Sequence, residues 1–233
     1  VSWGEASPDV VSPVRKIDEV YAEFVIPVLE DLEIQAAVRH SQYSDIDQNT
    51  TNPRVGVIWK PTDKLKLRGS YSTGFRAPTM LQMYSGQASD FTEGITDPCD
   101  PTGSGVVADL PGCAGLQDGL IENTVKGFNV ESGGNINLKP EEATNLTLGL
   151  AFEPQDNLSF TLDYFKIEQK DVVFNSPVFV LEQAYIHQNP AYISSVTRAE
   201  GGKGYIVSLH APNDNIAERT IDGIDFAALY TLD

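Results

Sequence analysis

No run of about 18 apolar residues occurs in this 233-residue chain, so no transmembrane helix is expected. Strands remain open, because a spanning strand needs only about 10 alternating residues. Bases are scarce: 16 Lys and Arg stand against 33 Asp and Glu, for a net charge of −17. A nucleic-acid partner needs a basic footprint, and none is expected. The three histidines, His40, His187 and His210, are scattered without metal-ligand spacing. Asp97 and Asp100 lack the twelve-residue calcium-loop pattern and read as part of a solvated acidic loop. No metal, no cofactor and no catalytic residue is assigned, since neither a nucleophile elbow nor a Ser/His/Asp order is present. Cysteine is limited to Cys99 and Cys113, both among Gly, Pro and Asp. A close pair in a loop predicts a disulfide and an oxidising compartment. Residues 1–15 carry Trp3, Glu5, Pro8, Asp9 and Pro13 and have no apolar core. They read as the middle of a loop rather than a signal peptide, so the chain is expected to be an internal piece.

What is present is alternation. In Lys64 to Thr73, Leu65, Leu67, Gly69, Tyr71 and Thr73 point one way and Lys66, Arg68, Ser70 and Ser72 the other. That is a strand with one apolar and one polar face. Gly74-Phe75-Arg76-Ala77-Pro78 breaks the pattern. Gly74 permits a positive φ and Pro78 pushes Ala77 out of the helical region, so the strand is expected to stop there. The same alternation predicts strands over Ile17–Leu29, Leu32–Tyr43, Arg54–Lys60, Thr144–Phe152, Leu158–Glu168 and Arg219–Tyr230. A helix is predicted over Val178–His187, a shorter one at Ala191–Val196, and a short strand at Tyr205–Leu209.

The connections fall into two sets. Glu30-Asp31, Pro61-Thr62-Asp63 and the run Glu153–Asn157 are short; Asp45–Asn52, Ser85–Leu138 and Asp171–Glu218 are long. The short and long connections alternate along the chain, which places them at opposite strand ends. A soluble sandwich has no reason to segregate loops in this way, whereas a transmembrane β-barrel does. Trp59 and Phe152 near the short turns, with Tyr71 toward the other end, fit aromatic girdles. The hydrophobic content of 41% also suits strands with one apolar face. The fold expected is all-β: a partial transmembrane antiparallel β-barrel of about seven strands, with long extracellular loops, one containing a short helix.

Three stretches go further. Gly74-Phe75-Arg76-Ala77-Pro78, followed by Leu81 and Tyr84, resembles the "GFRAP…L…LY" signature of TonB-dependent outer-membrane receptors. Asn137-Leu138-Lys139-Pro140-Glu141-Glu142-Ala143-Thr144-Asn145 resembles the "NLKPE-x-x-x-N" run that opens the next strand in that family. Asn189-Pro190, Val196-x-Arg198, Asn215 and Gly223-Ile224-Asp225 resemble its "NP…V-x-R…N…GID" series. Order and spacing match over most of residues 16–233; Met80 and Met83 are small departures. The resemblance implies a barrel of about 22 strands filled by an N-terminal plug, with residues 1–233 forming one partial barrel domain. It implies residence in the bacterial outer membrane, contact with its lipid and with the plug of the same chain, energy from TonB through an N-terminal region, and a small-molecule ligand. Uptake of a scarce ligand, such as a siderophore–iron complex, a cobalamin or an oligosaccharide, is the implied function.

The motif residues read as structural elements of the barrel rim, and the ligand-binding residues stay unassigned. Arg76 is expected to pair with a wall carboxylate rather than with an anionic ligand. Glu23, Arg39, Lys66, Arg68 and Asp163 are expected to face the lumen. The acids Asp90, Glu93, Asp97, Asp100, Asp109, Asp118, Glu122 and Glu131 crowd the first long loop against one base, Lys126. Within that loop, Pro101, Gly103, Gly105, Pro111 and Gly112 lie between Cys99 and Cys113, and this content predicts that the segment the disulfide closes has no packed core of its own and is shaped by the crosslink. Two alternatives stand beside this reading: a secreted β-sandwich adhesin or lectin, and an outer-membrane enzyme.

Overall fold

The computed structural model describes residues 14–46, 49–100, 107–118 and 127–232. Its elements in chain order are β1 (Ile17–Leu29), β2 (Leu32–Tyr43), β3 (Thr50–Thr62), β4 (Leu65–Arg76), α1 (Met80–Tyr84), β5 (Ala88–Glu93), a 3-10 turn (Pro111–Cys113), β6 (Gly127–Ser132), β7 (Glu141–Gln155), β8 (Leu158–Phe174), α2 (Pro177–Tyr185), α3 (Pro190–Ile193), β9 (Val196–Arg198), a single helical turn α4 (Ala199–Gly202), β10 (Ile206–His210) and β11 (Asp214–Tyr230). They form two compact units.

The wall unit is one seven-stranded sheet in the order β1-β2-β3-β4-β7-β8-β11. Every pairing from β1 to β8 is antiparallel. The register keeps apolar residues on a single face: Ile26 pairs Ile34, Ile34 pairs Val57, Val57 pairs Gly69, Gly69 pairs Leu148 and Leu148 pairs Tyr164. A slip of one residue would turn each strand inside out. The opposite face carries Arg68 donating from Nε and Nη2 to Asp163, at 2.7–3.0 Å, and Ser70 Oγ 2.7 Å from Thr147 Oγ1. The Arg68–Asp163 pair crosses over Gly149, where an added Cβ would stand 2.1 Å from Asp163 Oδ1.

The apolar face is bare. Phe24 is 59% exposed, Leu148 52% and Phe226 67%, and the buried apolar residues of this unit, Ile46, Leu138 and Val173, lie toward the strand ends. A sandwich would bury the mid-strand side chains of one face against a second sheet. An apolar face left open in this way needs lipid.

Glu30-Asp31, Asp63-Lys64 and Asp156-Asn157 close the short end, and they are laced to their neighbours. Lys60 N donates to Asp31 O at 2.8 Å, Glu153 N to Lys64 O at 2.8 Å and Thr231 N to Asn157 O at 2.9 Å. Trp59 Nε1 reaches Asp31 Oδ2 at 3.1 Å.

The strands run further than alternation predicts. β4 continues through Gly74 and Phe75 to Arg76, pairing Ala143, Glu142 and Glu141. Gly74 is not among the positive-φ residues, so it does not break the strand. β3 begins at Thr50, β7 at Glu141 and β11 at Asp214, and β8 reaches Phe174. Alternating hydropathy marks only the band that meets lipid. Beyond it the backbone ladder continues wherever a neighbour offers hydrogen bonds, whatever the side chains.

The loop unit draws on residues 79–137 and 174–214. Its sheet runs β5-β6-β10-β9, with β10 parallel to β6 and antiparallel to β9. Phe128, Val130, Leu181, Ala184, Tyr185, Ile206 and Leu209 pack with Cys99 and Cys113 into one core. The described ends of the Cys99–Cys113 segment therefore sit in a packed interior, with Val107 and Leu110 against it, where composition predicts none. Its apolar partners come from α2, β10 and neighbouring residues far along the chain, which no local reading of Gly and Pro content can see. The predicted positions Pro101, Gly103 and Gly105 lie outside the described residues.

Candidate functional site

The motif residues separate between the two units. In the wall unit Arg76 and Glu141, opposite one another on β4 and β7, form a two-point ion pair, with Arg76 Nε 2.8 Å from Glu141 Oε2. Glu141 is 5% exposed and also accepts from Val173 N at 2.9 Å, so one carboxylate ties β4, β7 and β8 together. Pro78 is fully buried. Its carbonyl accepts from Arg15 Nη1 at 2.8 Å, while Arg15 holds both oxygens of Asp45 and lies over the Tyr43 ring at 5.6 Å. Tyr43 in turn meets Phe75 edge-on at 5.7 Å. Arg15 and Asp45 carry no motif, and nothing in their spacing could have flagged them.

Around Lys139, Asn215 behaves like a piece of strand. Its Oδ1 accepts from Lys139 N at 2.8 Å and its Nδ2 donates to Lys139 O at 3.0 Å and to Asp171 O at 2.6 Å. Leu138 is buried beside this junction. Gly223 faces Phe165, whose ring would stand 2.8 Å from an added Cβ. Ile224 is 70% exposed, and Asp225 lines the concave polar face together with Arg54, Arg68 and Asp163.

In the loop unit α1 starts with a capping box. Thr79 Oγ1 accepts from Gln82 N at 3.1 Å and Gln82 Oε1 accepts from Thr79 N at 2.9 Å. The Thr-x-x-Gln spacing is the signal that could have located this helix. Asn189 caps α3, accepting from Ala191 N at 3.2 Å, with Pro190 in the first turn. Asn137 N donates to Asn135 Oδ1 at 2.9 Å.

Arg198 is the centre of the loop unit. It donates to both Asp97 oxygens at 2.7 Å, to the Tyr185 hydroxyl at 2.7 Å and to Gly204 O at 2.7 Å, and its side chain is only 4% exposed. Asp97 also accepts from Cys99 N at 2.9 Å, which links the ion pair to the Cys99–Cys113 disulfide. Asp100 is 4% exposed and the Asp97 side chain 13%, so the two are not part of a solvated acidic surface. Burial by itself would lower the Arg198 value, but the Asp97 hydrogen bonds outweigh it and the group is held above its ordinary range. Burial likewise pushes the Tyr185 phenol up, against the opposing pull of Arg198. Among the described residues no cluster of His, Cys, Asp and Glu is placed to hold a metal ion.

A sheet with one bare apolar face, short turns at one end and long folded segments at the other describes the wall of an outer-membrane barrel. The chain belongs to the TonB dependent receptor-like, beta-barrel family, whose sequence pattern matches residues 2–233. Membership places it in the bacterial outer membrane. Hemin receptors of Yersinia enterocolitica and Yersinia pestis are each 31% identical to it over 137 residues, covering 56% of this chain and 16% of their own length. The chain therefore spans about a sixth of the curated relatives it matches. The siderophore receptor PirA of Acinetobacter baumannii shares the fold with a TM-score of 0.61 at 18% identity, over 92% of this chain and 25% of that one. A ferric enterobactin receptor of Pseudomonas aeruginosa, solved with enterobactin, gives a TM-score of 0.59 at 18% identity, over 91% and 24%.

Proposed function

We propose that residues 1–233 form one partial barrel domain, wall and outer loops, of a receptor that takes an iron-carrying ligand across the outer membrane, with hemin as the first candidate. The observation that carries the ligand class is the 31% identity to two hemin receptors over 137 residues, on a chain of the receptor family. In this reading the whole protein holds a plug inside its barrel, and TonB supplies the energy that opens a path. The work is binding and gated passage, with no covalent step. The residues from Gly74 to Pro78, from Asn137 to Glu141, Asn189-Pro190 and Gly223 to Asp225 serve the rim and its loops as structure. The Arg76–Glu141 pair supports that assignment, because the cation is already engaged by a buried carboxylate.

Gene deletion in the source bacterium tests the proposal, with growth on hemin as sole iron source compared against cobalamin-dependent growth. Loss of hemin-dependent growth, matched by loss on deleting TonB, is the expected result. Normal growth on hemin with a defect in cobalamin or oligosaccharide use would move the ligand to that class. Hemin uptake independent of TonB would overturn the energy source.

A further inference from the structure

At the loop end of the wall unit β3 and β4 separate. Their ladder stops at Arg54–Ser72, although β3 continues to Thr50 along β2 and β4 to Arg76 along β7. Pro53 stands at the break and has no N–H to carry the ladder on. A slot of about 220 Å³ opens at this seam, lined by residues 49–52, 73–75, 140 and 142–144. Thr50 Oγ1, Asn52 Nδ2 and Thr73 Oγ1 are the buried side-chain polar atoms that lack a hydrogen-bond partner among the described residues, and all three belong to residues lining the slot. Each costs stability until a partner reaches it. Gly74 lines the slot as well. An added Cβ there would meet nothing within 4 Å, and its φ is not positive, so neither packing nor backbone conformation demands glycine. A glycine inside a strand also suits a place where another molecule approaches the backbone.

The height of the slot follows from the outward face. Along β4 that face reads Leu67, Gly69, Tyr71, Thr73, and the residues opposite on β7 are Leu150, Leu148, Leu146, Thr144. On β3, Val55 stands opposite Tyr71 and Thr51 lies four residues further on, where its hydroxyl meets His40 Nδ1 at 2.9 Å. Apolar side chains give way to hydroxyls at one level on three strands. That level marks the passage from hydrocarbon to headgroups, at the end that carries the long loops.

The lining selects which part of a headgroup fits. Thr50, Asn52, Thr73 and Thr144 bring hydroxyls and an amide, Glu142 brings a carboxylate, and no Lys, Arg or His occurs among the described lining residues. A phosphate is held by cationic partners, so a lipid phosphate does not suit this slot. A sugar hydroxyl both donates and accepts, which matches groups of this kind. The volume lies below that of sites for drug-sized ligands and suits a single ring. We propose that the β3–β4 seam holds one uncharged sugar unit from the head of an outer-leaflet glycolipid, fastening the rim of the wall to the membrane. The proposal goes beyond the transport reading and is independent of which ligand is carried.

The test uses the intact receptor in mild detergent, with bound lipid counted by native mass spectrometry. The probes are lipopolysaccharide, phosphatidylethanolamine, and the saccharide freed from the same lipopolysaccharide by mild acid. Gly74→Leu fills the slot, and Thr73→Val keeps its shape while removing one unpartnered hydroxyl. Wild type should prefer lipopolysaccharide over phosphatidylethanolamine, and each variant should weaken that binding by about tenfold or more at unchanged heat-modifiable mobility. Should Gly74→Leu fail to assemble, Thr73→Val decides the outcome. Wild type that holds both lipids equally would overturn sugar recognition. Lipopolysaccharide binding unchanged in Thr73→Val would place the glycolipid elsewhere and overturn the site. Freed saccharide that binds as tightly as the whole glycolipid would overturn the membrane as its source.

Discussion

Arg198 reaches Asp97, Tyr185 and the Gly204 carbonyl from a side chain that is almost wholly buried. Removing it leaves the Asp97 carboxylate enclosed without its cation. Arg198→Ala should cost the loop unit about 3–5 kcal/mol, the range for breaking a buried pair from one side. Arg198→Lys should recover little, because one ammonium cannot reproduce the two-point grip on Asp97. Limited proteolysis of the intact receptor measures this: cleavage within residues 79–137 and 174–214 should rise while the wall stays protected. The surface pair Arg68–Asp163 provides the contrast, with side chains 55% and 30% exposed. Breaking it should cost about 1 kcal/mol or less. Tyr185 adds a pH signature. Its folded value is raised, chiefly by burial, so the folded state holds the phenol proton more tightly than the unfolded chain does. That contribution is complete below the unfolded value of about 10 and is lost as pH rises through the folded value. The loop unit should stay ordered through neutral pH and loosen only in strong alkali. Near-ultraviolet circular dichroism followed alongside tyrosinate absorbance checks the order of events.

Individual strands carry the two-faced character of the wall. Leu148 sits on the bare apolar face between Gly69 and Tyr164, whereas Thr161 pairs Ala151 on the other face. In the intact protein Leu148→Arg should impair insertion by about 2–4 kcal/mol near the midplane, and Thr161→Arg should be tolerated. Heat-modifiable mobility on gels after assembly separates the two outcomes; equal sensitivity would mean both faces are buried. The disulfide belongs to this scale as well, because it fastens the 3-10 turn at Cys113 to the Cys99 segment inside the loop core. Replacing both cysteines by Ser should destabilise that unit by about 3 kcal/mol in the chain-entropy model. The wall strands contribute no member of that core, so barrel assembly should be spared. Ligand uptake is expected to fall further than surface abundance.

At the level of the whole molecule, β1 and β11 are the edges of the seven-stranded sheet. Their outer backbone groups need partners, and the apolar face needs lipid. An open edge can neither sit in a bilayer nor remain quiet in water. Residues 1–233 expressed alone should therefore aggregate without detergent. A monodisperse soluble monomer with cooperative unfolding, seen by sedimentation and calorimetry, would contradict the wall assignment.

Alternation alone placed all seven wall strands and their facing, because side-chain period and lipid contact leave a direct trace in residue order. The short turns, the Cys99–Cys113 pairing and helix α2 were legible for the same local reason. Strand length was not, since Gly74 to Arg76 and Glu141 to Ala143 pair through backbone that carries no hydropathy signal. The loop unit was hidden almost entirely. Its parallel β6–β10 pairing and its core unite residues from two distant segments, and the apolar residues of one stretch, such as Phe128 and Val130, show no periodic pattern that names their partners. Asp97 looked like solvated charge until the fold placed Arg198 against it, about a hundred positions away along a chain whose ends loop closure must bring together. Sequence decided which face meets lipid; only tertiary structure decided which charges are buried, because burial depends on neighbours that residue order does not name.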